Sequence, residues 1–310
     1  MSVTVLLGPV GDGARVMSEL ATLGVDGPIA LVTAGWEESE RNDADLDRAL
    51  GGGTRNLGLF GRSLDILESD PEYAHEVRRV RTVLTQLREV YLVQLRHALR
   101  GVEAVRQHDA GARRLSGVQL DEAIETVRAL DERHASRLEA VLGEFYAACP
   151  PHERPAIAAH REAVASVVAE CAALVIAGGH VGVLTECLHV CNLGARLGDR
   201  PVVAWSSGAM AIAERVMVVD DHDHSGRPDE MLGAGIGVVR GVVPLPASAR
   251  RLRIDDRNHL ALLARRLAPR ACVLLDEGDR VPFDDNGVAD LSRARVVATD
   301  GTVRASAEAA

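Results

Sequence analysis

Val202-Val203-Ala204-Trp205-Ser206-Ser207-Gly208-Ala209-Met210 is apolar up to Trp205, stops at two serines and then takes up a helical pattern. That succession predicts a strand, a sharp turn and a helix. A serine at such a turn sits on a strained backbone at the carboxyl end of the strand. Its Oγ is exposed there, and the following N–H groups point at a developing oxyanion. Small neighbours are needed, because a Cβ clashes in so tight a turn. The usual spelling is G-x-S-x-G; Ala204-Trp205-Ser206-Ser207-Gly208 has alanine, the next smallest residue, in the first place. Two readings stand at this point, a buried strand closed by a polar turn and a catalytic elbow.

Composition narrows the class. The chain has 310 residues, 47% hydrophobic and only 3% aromatic. That is enough for one α/β domain with an insertion, its core built from small branched side chains as in a parallel sheet covered by helices. The net charge of -10 argues against a nucleic-acid partner, since no excess of Lys or Arg is available to neutralise phosphates. No apolar stretch approaches the roughly 20 residues that span a bilayer, and the amino terminus lacks a charged region followed by a hydrophobic one. A soluble, cytoplasmic protein with no membrane partner is expected. Cys149, Cys171, Cys187, Cys191 and Cys272 are odd in number and lack paired zinc-ligand spacing, so they are expected to be buried thiols. No cofactor is expected.

Outward from the serine turn, the preceding strand is Ala172 to Ala177, ending at Gly178-Gly179-His180, with a helix from Val181 to Leu193 in between. In an open α/β sheet ligands bind at the carboxyl ends of strands, so these two loops are expected to face one another. Gly178-Gly179 is placed to offer one oxyanion N–H and Ser207 the other. At the amino terminus, Val3 to Leu7 and Ile29 to Thr33 read as strands, with helices at Gly13 to Leu23 and Asp43 to Leu50 and a further extended segment at Asn56 to Phe60. Together they form a βαβ pattern with parallel strands. Gly8-Pro9-Val10-Gly11-Asp12-Gly13 lacks the Lys-Ser/Thr of a phosphate loop and reads as a glycine-rich βα turn.

From Tyr73 the period changes. Tyr73, Val77, Val80, Leu84, Leu87, Tyr91, Leu95, Ala98, Val102 and Val105 form a heptad seam along one long helix. A second helix carries Leu120, Ile124, Val127, His134, Leu138, Val141 and Phe145, and Cys149-Pro150-Pro151 ends it. Two antiparallel helices follow, which either cover the sheet or present their seam to a second copy as a homodimer. His134 reads as a satisfied histidine rather than a ligand. The expected architecture is α/β, a doubly wound, mostly parallel sheet flanked by helices with a long inserted helical hairpin. Residues 1–70 form the first part of the α/β domain, 71–150 the hairpin, 151–305 the second part with the serine elbow, and 306–310 a tail.

Ala177-Gly178-Gly179-His180 together with Ala204-Trp205-Ser206-Ser207-Gly208-Ala209 resembles the serine peptidases of the dipeptidase E and cyanophycinase group, whose fold belongs with the class I glutamine amidotransferase-like domains. The resemblance covers roughly residues 1 to 60 and 170 to 300. It implies a nucleophile at Ser206, flanked by Trp205 and Ser207, and a small peptide-like substrate. It also implies a histidine after a Gly-Ile/Leu-Gly segment and beside a proline. Gly235-Ile236-Gly237 and Val243-Pro244-Leu245-Pro246 fit that frame, but the next residue is Ala247. A hydroxyl with no base is a poor nucleophile.

Asp220-Asp221-His222-Asp223-His224-Ser225-Gly226 offers substitutes, with His222 or His224 as base. A solvated acidic loop and a divalent metal on His222, Asp223 and His224 are the other readings of that stretch, the last without a third ligand at diagnostic spacing. Asp276-Glu277-Gly278 resembles the place where related enzymes carry an acid pair, with Glu277 as orienting acid or as part of a charged surface turn. The open functions are a serine hydrolase of peptide-like bonds, a catalytically silent relative that binds a ligand or self-assembles, and a glutamine-amidotransferase-like activity. The last ranks lowest, because no cysteine stands at the elbow.

Overall fold

The computed structural model describes residues 3–11, 13–109, 116–219 and 227–305. The chain opens with β1 (Thr4–Leu7), α1 (Ala14–Thr22), β2 (Ile29–Val32), α2 (Ala44–Ala49), the two-residue β3 (Arg55–Asn56) and α3 (Leu59–Ser69). Asn56–Phe60, expected to be extended, is strand only at its first residue. Gly58 turns the chain at φ 60°, and α3 begins at Leu59. Glu40 holds that start, its carboxylate accepting the N–H groups of Phe60 and Gly61 at 2.8 and 2.9 Å. A negative charge is favoured at the positive end of a helix.

The two long helices follow, α4 (Pro71–Asp109) and α5 (Ser116–Ala148), then α6 (Pro155–Ala169). The frame resumes with β4 (Ala173–Ile176), α7 (Val181–Val190), β5 (Val202–Trp205) and α8 (Ser207–Ala211). Beyond these lie β6 (Val216–Val218), β7 (Glu230–Gly233), β8 (Val242–Pro246), α9 (Ser248–Arg251) and α10 (Arg257–Leu267). The chain closes with β9 (Ala271–Leu275), β10 (Arg280–Phe283), β11 (Arg295–Val297) and β12 (Val303–Ala305).

Six strands form the central sheet in the order β10-β1-β5-β4-β2-β3, parallel except for β10, which runs antiparallel to β1. Its strands are apolar on both faces because both are covered. Val5, Leu7, Leu31, Val175 and Val203 meet Val16 and Leu20 of α1 on one side. Leu6, Val32, Leu174, Ile176 and Ala204 meet Val164 and Val168 of α6 and Leu184 of α7 on the other. The architecture is thus α/β with a mostly parallel sheet between helices, as the strand pattern implies. A second sheet, ordered β12-β11-β9-β8, combines a parallel β8–β9 pair with an antiparallel β11–β12 hairpin. The Asp300-Gly301 turn dipeptide announces that hairpin.

α4 spans 39 residues, about 58 Å at the helical rise. It runs antiparallel to α5: Tyr73 meets Phe145 near one end, and Tyr91 stacks on His134 further along at 4.0 Å between ring centroids. The seam is filled from within the chain. Tyr91, Leu95 and Val102 pack with Ile124, Val127 and Leu130 of α5 and with Met231, Leu260, Leu263 and Leu274 of the carboxyl-terminal part. The apolar residues that α4 leaves exposed are instead Val83, Val90 and Val93.

A buried polar knot joins this hairpin to the rest. Arg266 of α10 donates through Nε and Nη2 to the Asp131 carboxylate, through Nη2 also to the Tyr91 hydroxyl at 3.0 Å, and through Nη1 to the Asp229 carbonyl at 2.7 Å. Tyr91 in turn donates to Asp131 at 2.7 Å and accepts from the Met231 N–H at 3.1 Å. His134, buried beside the knot, has its pKa lowered chiefly by that burial. All five cysteines are buried and free. Among the described residues no helix is long and apolar enough to cross a membrane.

Candidate functional site

Every residue of β5 is buried, and the strand ends at Ser206 with φ 53° and ψ −125°. A side-chain-bearing residue adopts such angles at a cost of about 1–3 kcal/mol, and only where its surroundings impose them. Here they do. The Ser206 N–H donates to the Leu7 carbonyl at 3.1 Å, and its carbonyl accepts from the Ala209 N–H at 3.0 Å. Gly208 lets α8 close over β4: a Cβ there would lie 2.5 Å from the Ile176 oxygen and 2.9 Å from the Ala177 oxygen. The strand, strained turn and helix expected of an elbow are therefore present.

The backbone also separates the two serines. Ser207 begins α8 with 7% exposure, while Ser206 is half-buried. As the first residue of a helix, Ser207 has an N–H with no intrahelical partner.

The Gly178-Gly179 loop lies against this serine. A Cβ at Gly178 would come within 2.9 Å of Ser206 Cβ and 3.2 Å of its Oγ. Gly179, at φ 132°, interlocks with the loop after β2, where an added Cβ would meet the Gly35 carbonyl oxygen at 2.3 Å. The His180 N–H donates to that same oxygen at 2.7 Å, so it is spent on joining the loops. The His180 ring caps α7, Nδ1 accepting the Val183 N–H at 3.2 Å.

Between the carboxyl ends of β1, β2, β4 and β5 and the helix α2 lies a cavity of about 680 Å³. Gly11, Trp36, Asp45, Gly178, Trp205 and Ser206 are among the residues that line it. The chain contains two tryptophans, and both face this cavity. Trp36 was not singled out from the sequence; the scarcity of tryptophan, and a glycine one place before it at a strand end, were the available signals. The chain turns sharply just after it, at Glu37, with φ 55° and ψ −125°.

The position at which the family resemblance requires an imidazole holds a methyl group. Ala247 follows β8 at φ 55° and ψ 40°, and the next residue, Ser248, is fully buried. The acid drawn in at this point is Asp276, not the exposed Glu277. Asp276 accepts from Ser248 Oγ at 2.6 Å, from the Ala249 N–H at 2.9 Å and from Arg295 at 2.7 Å. Burial alone pushes its pKa up, but these donors hold it below the ordinary carboxylate value. The Asp276 carbonyl packs against Gly8, where a Cβ would sit 1.8 Å from its oxygen.

His222 and His224 lie outside the described residues, as do the tail residues 306–310. Among the described residues no group of three or more His, Cys, Asp or Glu side chains is placed to hold a metal ion.

The chain matches no family model and no curated protein. Among solved structures, the crystal structure of a peptidase from an acI-B1 Actinobacterium is similar at 10% identity and a TM-score of 0.44, over 96% of this chain and 87% of that one. A likeness that distant carries no argument about family or activity.

Proposed function

We propose that the protein is a serine hydrolase that cleaves a peptide or amide bond in a small peptide-like substrate. Ser206 Oγ attacks the carbonyl carbon while His222 or His224 takes its proton. The N–H groups of Gly179 and Ser207 hold the oxyanion, and the imidazolium then protonates the leaving amine. Water, deprotonated by the same imidazole, frees the acyl group. The observation that carries this reading is the strained Ser206 backbone at the head of a buried strand, its side chain against Gly178 in the wall of the cavity. Trp36, partly exposed in the wall, offers that cavity an apolar ring surface, which favours a substrate with an aromatic or aliphatic group beside the scissile bond.

A second reading has its own observation. Ala247 supplies no base, and Asp276 is committed to Ser248, Ala249 and Arg295. On that reading the cavity binds a ligand without cleaving it.

A fluorophosphonate probe separates the two. The hydrolase reading expects labelling of the folded protein that is lost in Ser206→Ala. It also expects a drop of roughly 10²–10⁴-fold in rate when the histidine acting as base is changed to Ala. Unlabelled, folded protein supports the silent reading. Undiminished labelling in the double His222→Ala/His224→Ala variant removes both imidazoles from the mechanism.

A further inference from the structure

A second cavity, of about 350 Å³, lies between α4 and α10 and shares no lining residue with the cavity at Ser206. Its wall carries six arginines, Arg96, Arg100, Arg106, Arg227, Arg253 and Arg266, against the three carboxylates of Glu103, Asp229 and Asp256. Asp131 behind the wall offsets Arg266, and the positive excess that is left still runs against the net charge of -10 of the whole chain. Like charges gathered around one concavity repel, and the field they focus there attracts anions.

The arginines differ in how their charge is already met. Arg266 is buried, and its donors are taken by Asp131, Tyr91 and the Asp229 carbonyl, so it forms a fixed floor. Arg106 pairs with Glu103, and Arg253 lies 3.6 Å from Asp256. Those contacts occupy two of the three carboxylates, and the third, Asp229, lies 3.3 Å from His259. Arg96 and Arg100 are one helical turn apart on α4, a spacing that puts two like charges on the same face and is unfavourable in isolation. Both are exposed, and among the described residues neither is paired with a carboxylate. Leu99 and Leu262 give the wall an apolar part.

A guanidinium presents a planar fork of donors that matches the oxygens of a phosphate group. The volume falls at the lower end of the roughly 300–1,000 Å³ usual for small-molecule sites. We propose that this cavity binds a small anion carrying two or more phosphate groups, gripped by Arg96 and Arg100 over the floor made by Arg266. The leucines then accommodate whatever organic group the phosphates carry.

The test is calorimetric titration of the full-length protein with inorganic tripolyphosphate at low salt, with citrate as a carboxylate of comparable charge. Saturable one-to-one binding of tripolyphosphate is expected. Arg96→Ala/Arg100→Ala should weaken it by roughly tenfold or more, and both positions lie on an exposed helix surface where substitution leaves the fold intact. Arg96→Lys/Arg100→Lys keeps the charge but loses the fork, and should weaken binding several-fold. Ser206→Ala should leave it unchanged, which makes this site independent of the hydrolase reading. No saturable binding at millimolar tripolyphosphate, or equal affinity in the alanine variant, overturns the site. Citrate binding as tightly as tripolyphosphate overturns the assignment to phosphate.

Discussion

Removing the Asp131 carboxylate should be among the most damaging single changes outside the Ser206 cavity. The Arg266 side chain is 2% exposed and that of Asp131 5%. Two of the guanidinium's bonds end on this one carboxylate, and the hydroxyl of Tyr91 donates to it as well. In Asp131→Ala the Tyr91 hydroxyl and the Asp229 carbonyl remain, but both are neutral, and the buried cation loses the carboxylate it is directly paired with. Breaking a buried pair in this way costs about 3–5 kcal/mol. At roughly 2–4 °C per kcal/mol for a protein of this size class, the melting temperature should fall by about 6–20 °C. Urea unfolding checks the first figure through the midpoint at unchanged slope. The double variant Asp131→Leu/Arg266→Met removes the charge together with its partner, and should recover most of the loss. A cost below about 1 kcal/mol for Asp131→Ala, the range of an exposed ion pair, would refute the reading that this knot docks the hairpin.

Gly178→Ala places a methyl within 2.9 Å of Ser206 Cβ, and the forced shift should slow phosphonate labelling by about 10²-fold; an unchanged rate refutes the contact. Ser206→Gly removes the side chain from a backbone at φ 53° and should raise stability by about 1 kcal/mol while abolishing labelling. A loss of stability on thermal melting contradicts the strain. Burial lowers the pKa of His134 from its ordinary 6.5, so just below that pH the unfolded chain binds a proton that the folded chain does not. Its contribution is therefore complete above pH 6.5 and declines as the pH falls through the lowered folded value. His134→Phe keeps a ring against Tyr91 and should flatten this part of the stability profile; an identical slope in the variant removes His134 as its source.

Much of the frame was legible because its signals are local. Apolar runs closed by small residues marked β1, β2, β4 and β5, and the heptad steps from Tyr73 marked α4 and its partner. The strand, turn and helix around Ser206 were legible for the same reason, although the Trp-Ser-Ser-Gly run by itself did not separate a polar turn from a catalytic elbow. The polar knot was not, because Arg266 lies 135 residues from Asp131 and 175 from Tyr91, and no spacing rule joins residues so far apart. At the turn after β9 the sequence offers two adjacent acids without saying which faces inward; backbone direction chooses Asp276. Asn56–Phe60 misled because its apolar residues serve the start of α3, whose Leu59 is fully buried. The second, arginine-lined cavity escaped for a related reason, since α4 and the carboxyl-terminal segments supply its charges separately.

Peptide mapping by mass spectrometry after fluorophosphonate treatment of the folded protein tests the central claim most directly. The adduct should sit on Ser206, not on the adjacent Ser207, and be absent from Ser206→Ala. Protein that stays unmodified while folded, or an adduct on any other residue, contradicts it.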